Sequence, residues 1–190
     1  MSTDNTQAAP NPVTDQPLRQ FFSRMLRAAR LDPTLYEEVE NDRNAMGQAV
    51  SVIILASIAA GLGSLTFDAL NILIVTIGSI AGWFLWAFIT FFIGTRFLPT
   101  PQTHTGYTQL LRTIGFASSP GLIRIFGIIP ALRSFILFAA AAWMIVAMII
   151  AVKEALDYNS VWRAAAVVAI GWTIQFILMM FIMGIISRFF

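Results

Sequence analysis

The sequence predicts an all-α polytopic membrane protein with five transmembrane helices and an N-terminal amphipathic helix. Its 190 residues are 57% hydrophobic and only 12% charged, whereas soluble domains average about 45–50% apolar residues. Because so few charged side chains cannot cover the surface of a soluble domain, the excess apolar area must contact protein or lipid. Five nearly charge-free stretches of about 20 residues, the length that crosses a bilayer as a helix, indicate lipid.

The chain begins with a polar segment. Residues 1–17 contain three prolines and little that could be buried, so they are predicted to form a disordered tail. Over residues 18–30, apolar residues recur at helical spacing beside arginines, which predicts an amphipathic helix. This helix suits the headgroup boundary of an anionic membrane, or it packs on the cytoplasmic ends of the other helices. Its candidate contacts for lipid or a partner are Arg19, Arg24, Arg27 and Arg30.

An acidic segment completes a predicted juxtamembrane region, residues 18–46. Glu37, Glu38, Glu40 and Asp42 stand just before the first apolar run. Carboxylates in this place complement the positive N-terminal end of the following helix. The alternative is a site for a hard divalent cation, although the sequence has no regular ligand loop there.

The five apolar runs form the predicted transmembrane domain, residues 47–187. Their limits are 44–67, 69–95, 113–132 with one arginine inside, 134–152 and 164–187. The second run carries Trp83, Trp86 and several phenylalanines in its second half, as expected of a tilted helix whose aromatic residues approach a membrane interface. Small residues four apart, such as Gly78 and Gly82, permit close helix packing within the bundle or in a homo-oligomer.

The third run is predicted to be kinked or broken at Pro120. Proline lacks the backbone N–H of a helix and clashes with the preceding turn. Ser118 and Ser119 precede it, and their hydroxyls can bond some of the freed backbone groups.

The distribution of basic residues predicts the orientation. Nine Lys and Arg residues lie before the first span and in the loops on the same side, against two on the opposite side. The positive-inside rule therefore places the N-terminus in the cytoplasm and the C-terminus outside.

Arg124 is the only cation well inside a predicted span. A central arginine costs about 2.5–3.5 kcal/mol on insertion scales, so something must offset that cost. Asp68 lies in the first outer turn and is predicted to pair with Arg124, or with Arg133 in its place. The alternative is that Arg124 snorkels to the outer headgroups.

The sequence argues against an enzyme. It has no Cys and a single His, His104, with no acid within ten residues. No nucleophile–base pair or metal site can therefore be assembled locally, and no hydrolase, metalloprotease or nucleotide-binding motif is present. No cofactor is expected, and the small, unevenly placed net charge of +2 argues against nucleic-acid binding.

The block around the third span has a specific order of residues: Gly106 and Tyr107, Leu111 and Arg112, then small residues before Pro120, Pro130, and Trp143 in the next span. With this block, the polar tail, the juxtamembrane segment and the five spans, most of residues 31–187 resembles the Yip-one domain family of Ypt/Rab-interacting membrane proteins. The resemblance implies five spans and a cytoplasmic N-terminus. Eukaryotic members act in vesicle transport, and several bind prenylated small GTPases. The short tail and the absence of Cys look more like the prokaryotic branch, and the sequence at 35–38 departs from the family's signature before the first span.

Two functional hypotheses follow. The first is a non-catalytic scaffold, most simply in a bacterial inner membrane, that contacts membrane lipids or a protein through its cytoplasmic face, including Tyr107 and Arg112. The second is a small carrier or channel for a solute, ion or lipid, because broken helices and buried cations often mark solute paths. Its candidate polar site comprises Asp68, Ser118, Ser119, Pro120 and Arg124.

Overall fold

A computed structural model describes residues 15–63 and 69–189, and all regular structure in these ranges is helical. The α-helices are α1 (Asp15–Ala29), α2 (Pro33–Asn41), α3 (Ala45–Leu62), α4 (Ala69–Phe92), α5 (Tyr107–Ala117), α6 (Arg133–Ala155) and α7 (Val161–Phe189). A π-helical turn, Ile93–Phe97, extends α4, and a 3-10 helix, Ser119–Ile128, follows α5. Most of the predicted tail lies outside the described residues.

Four helical segments in the described ranges are long and apolar enough to cross a membrane. They are Ala45–Leu62, Thr76–Phe97, Arg133–Ala155 and Val161–Ile182, and they coincide with the first, second, fourth and fifth predicted spans. Each has 18 to 23 residues, close to the roughly 20 that a bilayer requires. The all-α membrane class is therefore confirmed.

The third predicted span is not a single long helix. α5 ends at Ala117, and the 3-10 helix begins at Ser119 with Pro120 in its first turn. The backbone N–H of Ser118 bonds to the carbonyl of Gly115, and its hydroxyl lies 3.4 Å from the carbonyl of Ile114. The chain breaks where the proline was expected to break it, because proline can neither donate to nor fit within a continuing α-helix.

The two pieces nevertheless run beside α3 in the same direction. Gly115 lies against Ala49 near the start of α3, and Gly127 lies against Gly63 just past its end. A Cβ at Gly115 would stand 2.7 Å from the Cβ of Ala49, so glycine is needed for this close approach. At the rises of the two helix types, α5 and the 3-10 helix extend ~16 Å and ~20 Å.

Five elements form a closed ring. α3 contacts α4, α4 contacts α7, α7 contacts α6, α6 contacts the 3-10 helix, and the 3-10 helix contacts α3. α5 packs against α3, α4 and α6, and its side chains are buried from Leu110 onward. The ring is therefore filled by α5 at one end.

Hydrogen bonds gather the loops around residues 94–106 and 156–160 at the end that α5 fills. The hydroxyl of Tyr158 lies 3.0 Å from the carbonyl oxygen of Gly94 and 2.8 Å from that of Leu98, which share its single O–H donor. The hydroxyl of Thr103 donates to the carbonyl of Leu156 at 3.0 Å. Because these loops follow α4 and α6, both helices end on the same side.

α1 and α2 form a hairpin along the side of the bundle. α1 contacts α2, α5 and the 3-10 helix. The indole N–H of Trp143 donates to the carbonyl of Ala29 at 2.8 Å, and Trp143 lies near the middle of α6. Leu31, at φ 63°, occupies the left-handed conformation that ends α1. The hairpin thus packs alongside the bundle as well as at its end.

Candidate functional site

Arg24 lies at the centre of an ion-pair network that joins three elements. Its guanidinium donates to Glu38 (2.8 Å), to Asp42 (2.8 Å) and to the side-chain oxygen of Gln48 (2.9 Å). Arg24 is only 4% exposed. Its prediction as a surface contact is therefore wrong, because its charge faces α2 and α3 instead of headgroups.

Arg27 extends the same network. It donates to Asp32 (2.8 Å), to Thr34 (3.0 Å) and to Glu38. Hydrogen bonding by Arg27 holds the pKa of Asp32 below its usual value. Burial alone would raise the pKa of Glu38, but its bonds to Arg27 and Arg24 lower it overall. Two of the four arginines that were predicted to contact lipid or a partner, Arg24 and Arg27, thus bind acidic side chains of the same chain.

The acidic segment was predicted to complement the N-terminal end of α3 or to bind a cation, but its acids also pair with arginines of α1. Glu38 and Asp42 neutralise arginines of α1, while Asp42 also accepts from the backbone N–H of Asn44 at 2.9 Å, just before α3. No group of three or more His, Asp or Glu side chains that could hold a metal ion occurs within 15–63 and 69–189.

One exposed side of α1 is apolar. Leu18, Phe22 and Leu26 follow one another at intervals of four residues and are 58%, 61% and 52% exposed. Arg19 and Arg30, the other two predicted contacts, are also exposed. We call Leu18, Phe22 and Leu26 the α1 stripe.

Arg112 is engaged inside the fold, and Tyr107 is half-buried against α4. The hydroxyl of Tyr107 donates to the carbonyl of Phe84 at 2.9 Å. Arg112 is 6% exposed and donates to the carbonyls of Val39 (2.9 Å) and Glu40. Arg112 therefore satisfies carbonyls at the end of α2, which have no partner within the helix.

Glu40 lies half-buried beside these carbonyls. Burial is the main cause that raises the pKa of Glu40 to about 7, and the nearby negative charge of Asp157 is the second. The charge of Arg112 and a hydrogen bond from Thr105 act in the opposite direction. Glu40 is therefore a carboxyl group that titrates near neutral pH.

A cavity of about 640 Å³ lies within the ring and opens to the surface beside α7, where Trp172 and Phe176 of its lining are 42% and 67% exposed. The side chains that line it come from all five ring elements and from Ser118, at the end of α5. The lining residues are Ile53, Ala56, Ser57, Gly78, Ser79, Gly82, Trp83, Trp86, Ser118, Arg124, Met144, Met148, Trp172, Gln175, Phe176 and Met179. We call this space the central cavity.

Trp83 and Trp86, which were predicted to approach a membrane interface, face the interior of the ring, and their depth in the membrane stays a prediction. They are 6% and 5% exposed and line the central cavity. The indole nitrogens of both are buried without a hydrogen-bond partner in the described part of the chain. The rotation of α4 decides this, since Phe88 and Phe92 of the same helix are about half exposed.

The structure places the predicted intramembrane polar residues at or beside the central cavity. Ser118 and Arg124 line it, whereas Ser119 and Pro120 are buried next to Ser118. The hydroxyl of Ser119 has no partner among the described residues. Asp68 lies outside the described residues, so its pairing with Arg124 or Arg133 stays a prediction.

Among the described residues, Arg124 finds little compensation for its charge in this cavity. One of its terminal nitrogens lies 3.0 Å from the sulfur of Met144, a weak acceptor. Within the described ranges, no ion pair joins Arg124 to an acid. A guanidinium has five N–H donors, so it can bind Asp68 and a further group together.

Sequence reasoning missed Trp83, Trp86 and Gln175 as cavity residues. The amide nitrogen of Gln175 lies 3.5 Å from the carbonyl of Gly82. The available signal was a polar group, Gln175, in the middle of an apolar span, because such residues usually face the interior of a bundle.

These features define an integral membrane protein with multiple membrane-crossing helices, a juxtamembrane hairpin and an open, largely apolar cavity that contains one arginine. The chain belongs to the Yip1 domain family, whose sequence model matches residues 19–183. The resemblance to the Yip-one domain family is thereby confirmed. No curated protein and no solved structure matches the chain.

Proposed function

We propose that this protein is a non-catalytic scaffold of a bacterial inner membrane, of the prokaryotic Yip1 type, which recruits a protein through the α1 stripe. The observation that carries the proposal is the stripe itself, three large apolar side chains that are each more than half exposed. The buried Arg24 network fixes α1 so that this side faces outward. The family's association with membrane trafficking supports a role in organising other proteins.

The proposed topology has five crossings, with the N-terminus in the cytoplasm and the C-terminus outside. The third crossing is α5 followed by the 3-10 helix. This is supported by the packing of α5 and the 3-10 helix beside α3, which they follow in the same direction from Ala49 to Gly63. The combined length, ~36 Å at the rises of the two helix types, exceeds the roughly 30 Å of a hydrocarbon core.

Cysteine accessibility tests this topology, because the chain contains no Cys. Arg43, Pro101 and Ala131 are exposed and can each be replaced by Cys singly. We expect a membrane-impermeant maleimide to label A131C from outside intact cells and to label R43C and P101C only after the membrane is opened. Labelling of all three from the same side would refute five crossings.

Photo-crosslinking tests the scaffold. A photoreactive amino acid replaces Phe22 in the α1 stripe or, as a matched control, Phe138, which is 73% exposed on α6. We expect a discrete protein adduct from position 22 that is absent from position 138 and is lost when Arg24→Met releases α1. Lipid adducts alone from both positions would refute the proposal.

A carrier is the second candidate, and the central cavity is the observation that favours it. Residues 110–121, which cover most of α5 and the start of the 3-10 helix, are all buried. α5 therefore closes the cavity on the side of the loops at residues 94–106 and 156–160. Transport would require α5 to move. Reconstituted vesicles that show no solute or ion flux attributable to the protein would exclude this candidate.

A further inference from the structure

We propose that the central cavity binds the phosphate-bearing headgroup of a membrane phospholipid. Arg124 supplies the charge: it is the only ionisable side chain among the described residues that line the cavity. A half-buried cation favours an anionic partner, and guanidinium binds phosphate oxygens through two parallel N–H bonds. The ligand therefore carries negative charge.

The neutral groups of the cavity match the same ligand. The indole nitrogens of Trp83 and Trp86 are donors only, and both are buried without a partner within the described chain. Ser57, Ser79 and Gln175 add hydroxyl and amide groups to the lining. Buried donors without acceptors are rare in folded proteins. Phosphate oxygens, which are acceptors, would satisfy them.

Size and surroundings favour a lipid over free phosphate. The volume of about 640 Å³ falls within the ~300–1,000 Å³ of small-molecule sites and greatly exceeds what a phosphate ion fills. Phe176 in the lining is 67% exposed, and Leu73 and Ile77 of α4 and Met180 of α7, beside the cavity, are 55–62% exposed. Acyl chains can lie against these apolar faces while the headgroup enters the cavity.

The first test measures phospholipid binding to the purified full-length protein by native mass spectrometry, with phosphatidylglycerol as the probe. Arg124→Gln removes the cation from the cavity, and Arg96→Gln removes an exposed arginine outside the cavity as the matched control. We expect Arg124→Gln to weaken binding at least tenfold and Arg96→Gln to leave it unchanged. Equal binding to the wild type and Arg124→Gln would overturn the proposal.

A second variant fills the cavity without touching Arg124. A Cβ at Gly78 would meet no atom within 4 Å, and Gly78 lines the cavity, so Gly78→Leu occupies the space where the headgroup is proposed to sit. Gly47 is equally open but lies outside the cavity, and Gly47→Leu is its control. We expect Gly78→Leu to lose lipid binding at an unchanged melting temperature, even if Arg124→Gln fails to fold. Binding by Gly78→Leu equal to that of Gly47→Leu would overturn the proposal.

Competition distinguishes the two sources of phosphate. Inorganic phosphate in large excess is added to the wild-type protein loaded with phosphatidylglycerol. We expect the lipid to remain bound, because its chains contribute to affinity. Displacement by inorganic phosphate would show a site for the free ion and refute the lipid assignment.

Discussion

Replacing Arg24 by Met should release the α1–α2 hairpin from the bundle. The change preserves an apolar stem of similar length and removes three hydrogen bonds, two of them to carboxylates. Breaking a buried ion pair by removing one partner costs about 3–5 kcal/mol. Here Glu38 and Asp42 remain 37% and 27% exposed, so water compensates part of the loss, and about 2–3 kcal/mol is expected.

Thermal unfolding in detergent, followed by tryptophan fluorescence, measures this loss. For a chain of this size, 2–3 kcal/mol corresponds to ~5–10 °C in melting temperature. Hydrogen exchange should accelerate in residues 15–29 more than in α3 or α6, because the hairpin can open without the ring. Arg30→Met, at an exposed position, is the control. The reasoning fails if Arg24→Met melts within a degree of Arg30→Met and its α1 amides stay protected.

The remaining predictions concern packing, pH and the intramembrane pair. Gly115→Ala should lower the free energy of unfolding by ~1–3 kcal/mol, because the added methyl group overpacks against α3. Gly47→Ala, where the added methyl group meets open space, should leave stability unchanged or raise it. Equal melting temperatures of the two variants would contradict this prediction. Because the pKa of Glu40 is raised to about 7, its protonated form favours folding, so stability should fall as pH rises from about 4.5 to 7. Glu40→Gln should flatten that slope in unfolding measured across pH, and an unchanged slope would exclude Glu40 as its source. If Asp68 and Arg124 pair, Asp68→Asn and Arg124→Gln should each lower the melting temperature and the double variant should be little worse than either; additive losses would disprove the pairing.

Local features of the fold were predictable from sequence. The membrane helices follow from runs of apolar residues, since length and composition alone decide whether a helix can cross a bilayer. The break before Pro120 follows from the chemistry of one residue. The position of Arg124 in an apolar segment likewise marked it as an unusual site, and it lines the central cavity.

The partners of Arg24 were not predictable in the same way. Glu38, Asp42 and Gln48 lie 14, 18 and 24 positions further along the chain, and any of several acids could have bound this arginine. Helical spacing placed the arginines beside an apolar stripe, which is equally compatible with arginines facing headgroups. The hairpin at Leu31 turns them toward α2 instead.

The sequence by itself determined that this chain enters a membrane, where its long helices lie and where one of them breaks, because these properties depend on neighbouring residues. The tertiary structure alone decided that Trp83 and Trp86 face the central cavity and that Arg112 caps α2. A helix carries the same residues whichever way it is rotated. Which side becomes buried depends on the close packing of all its neighbours together.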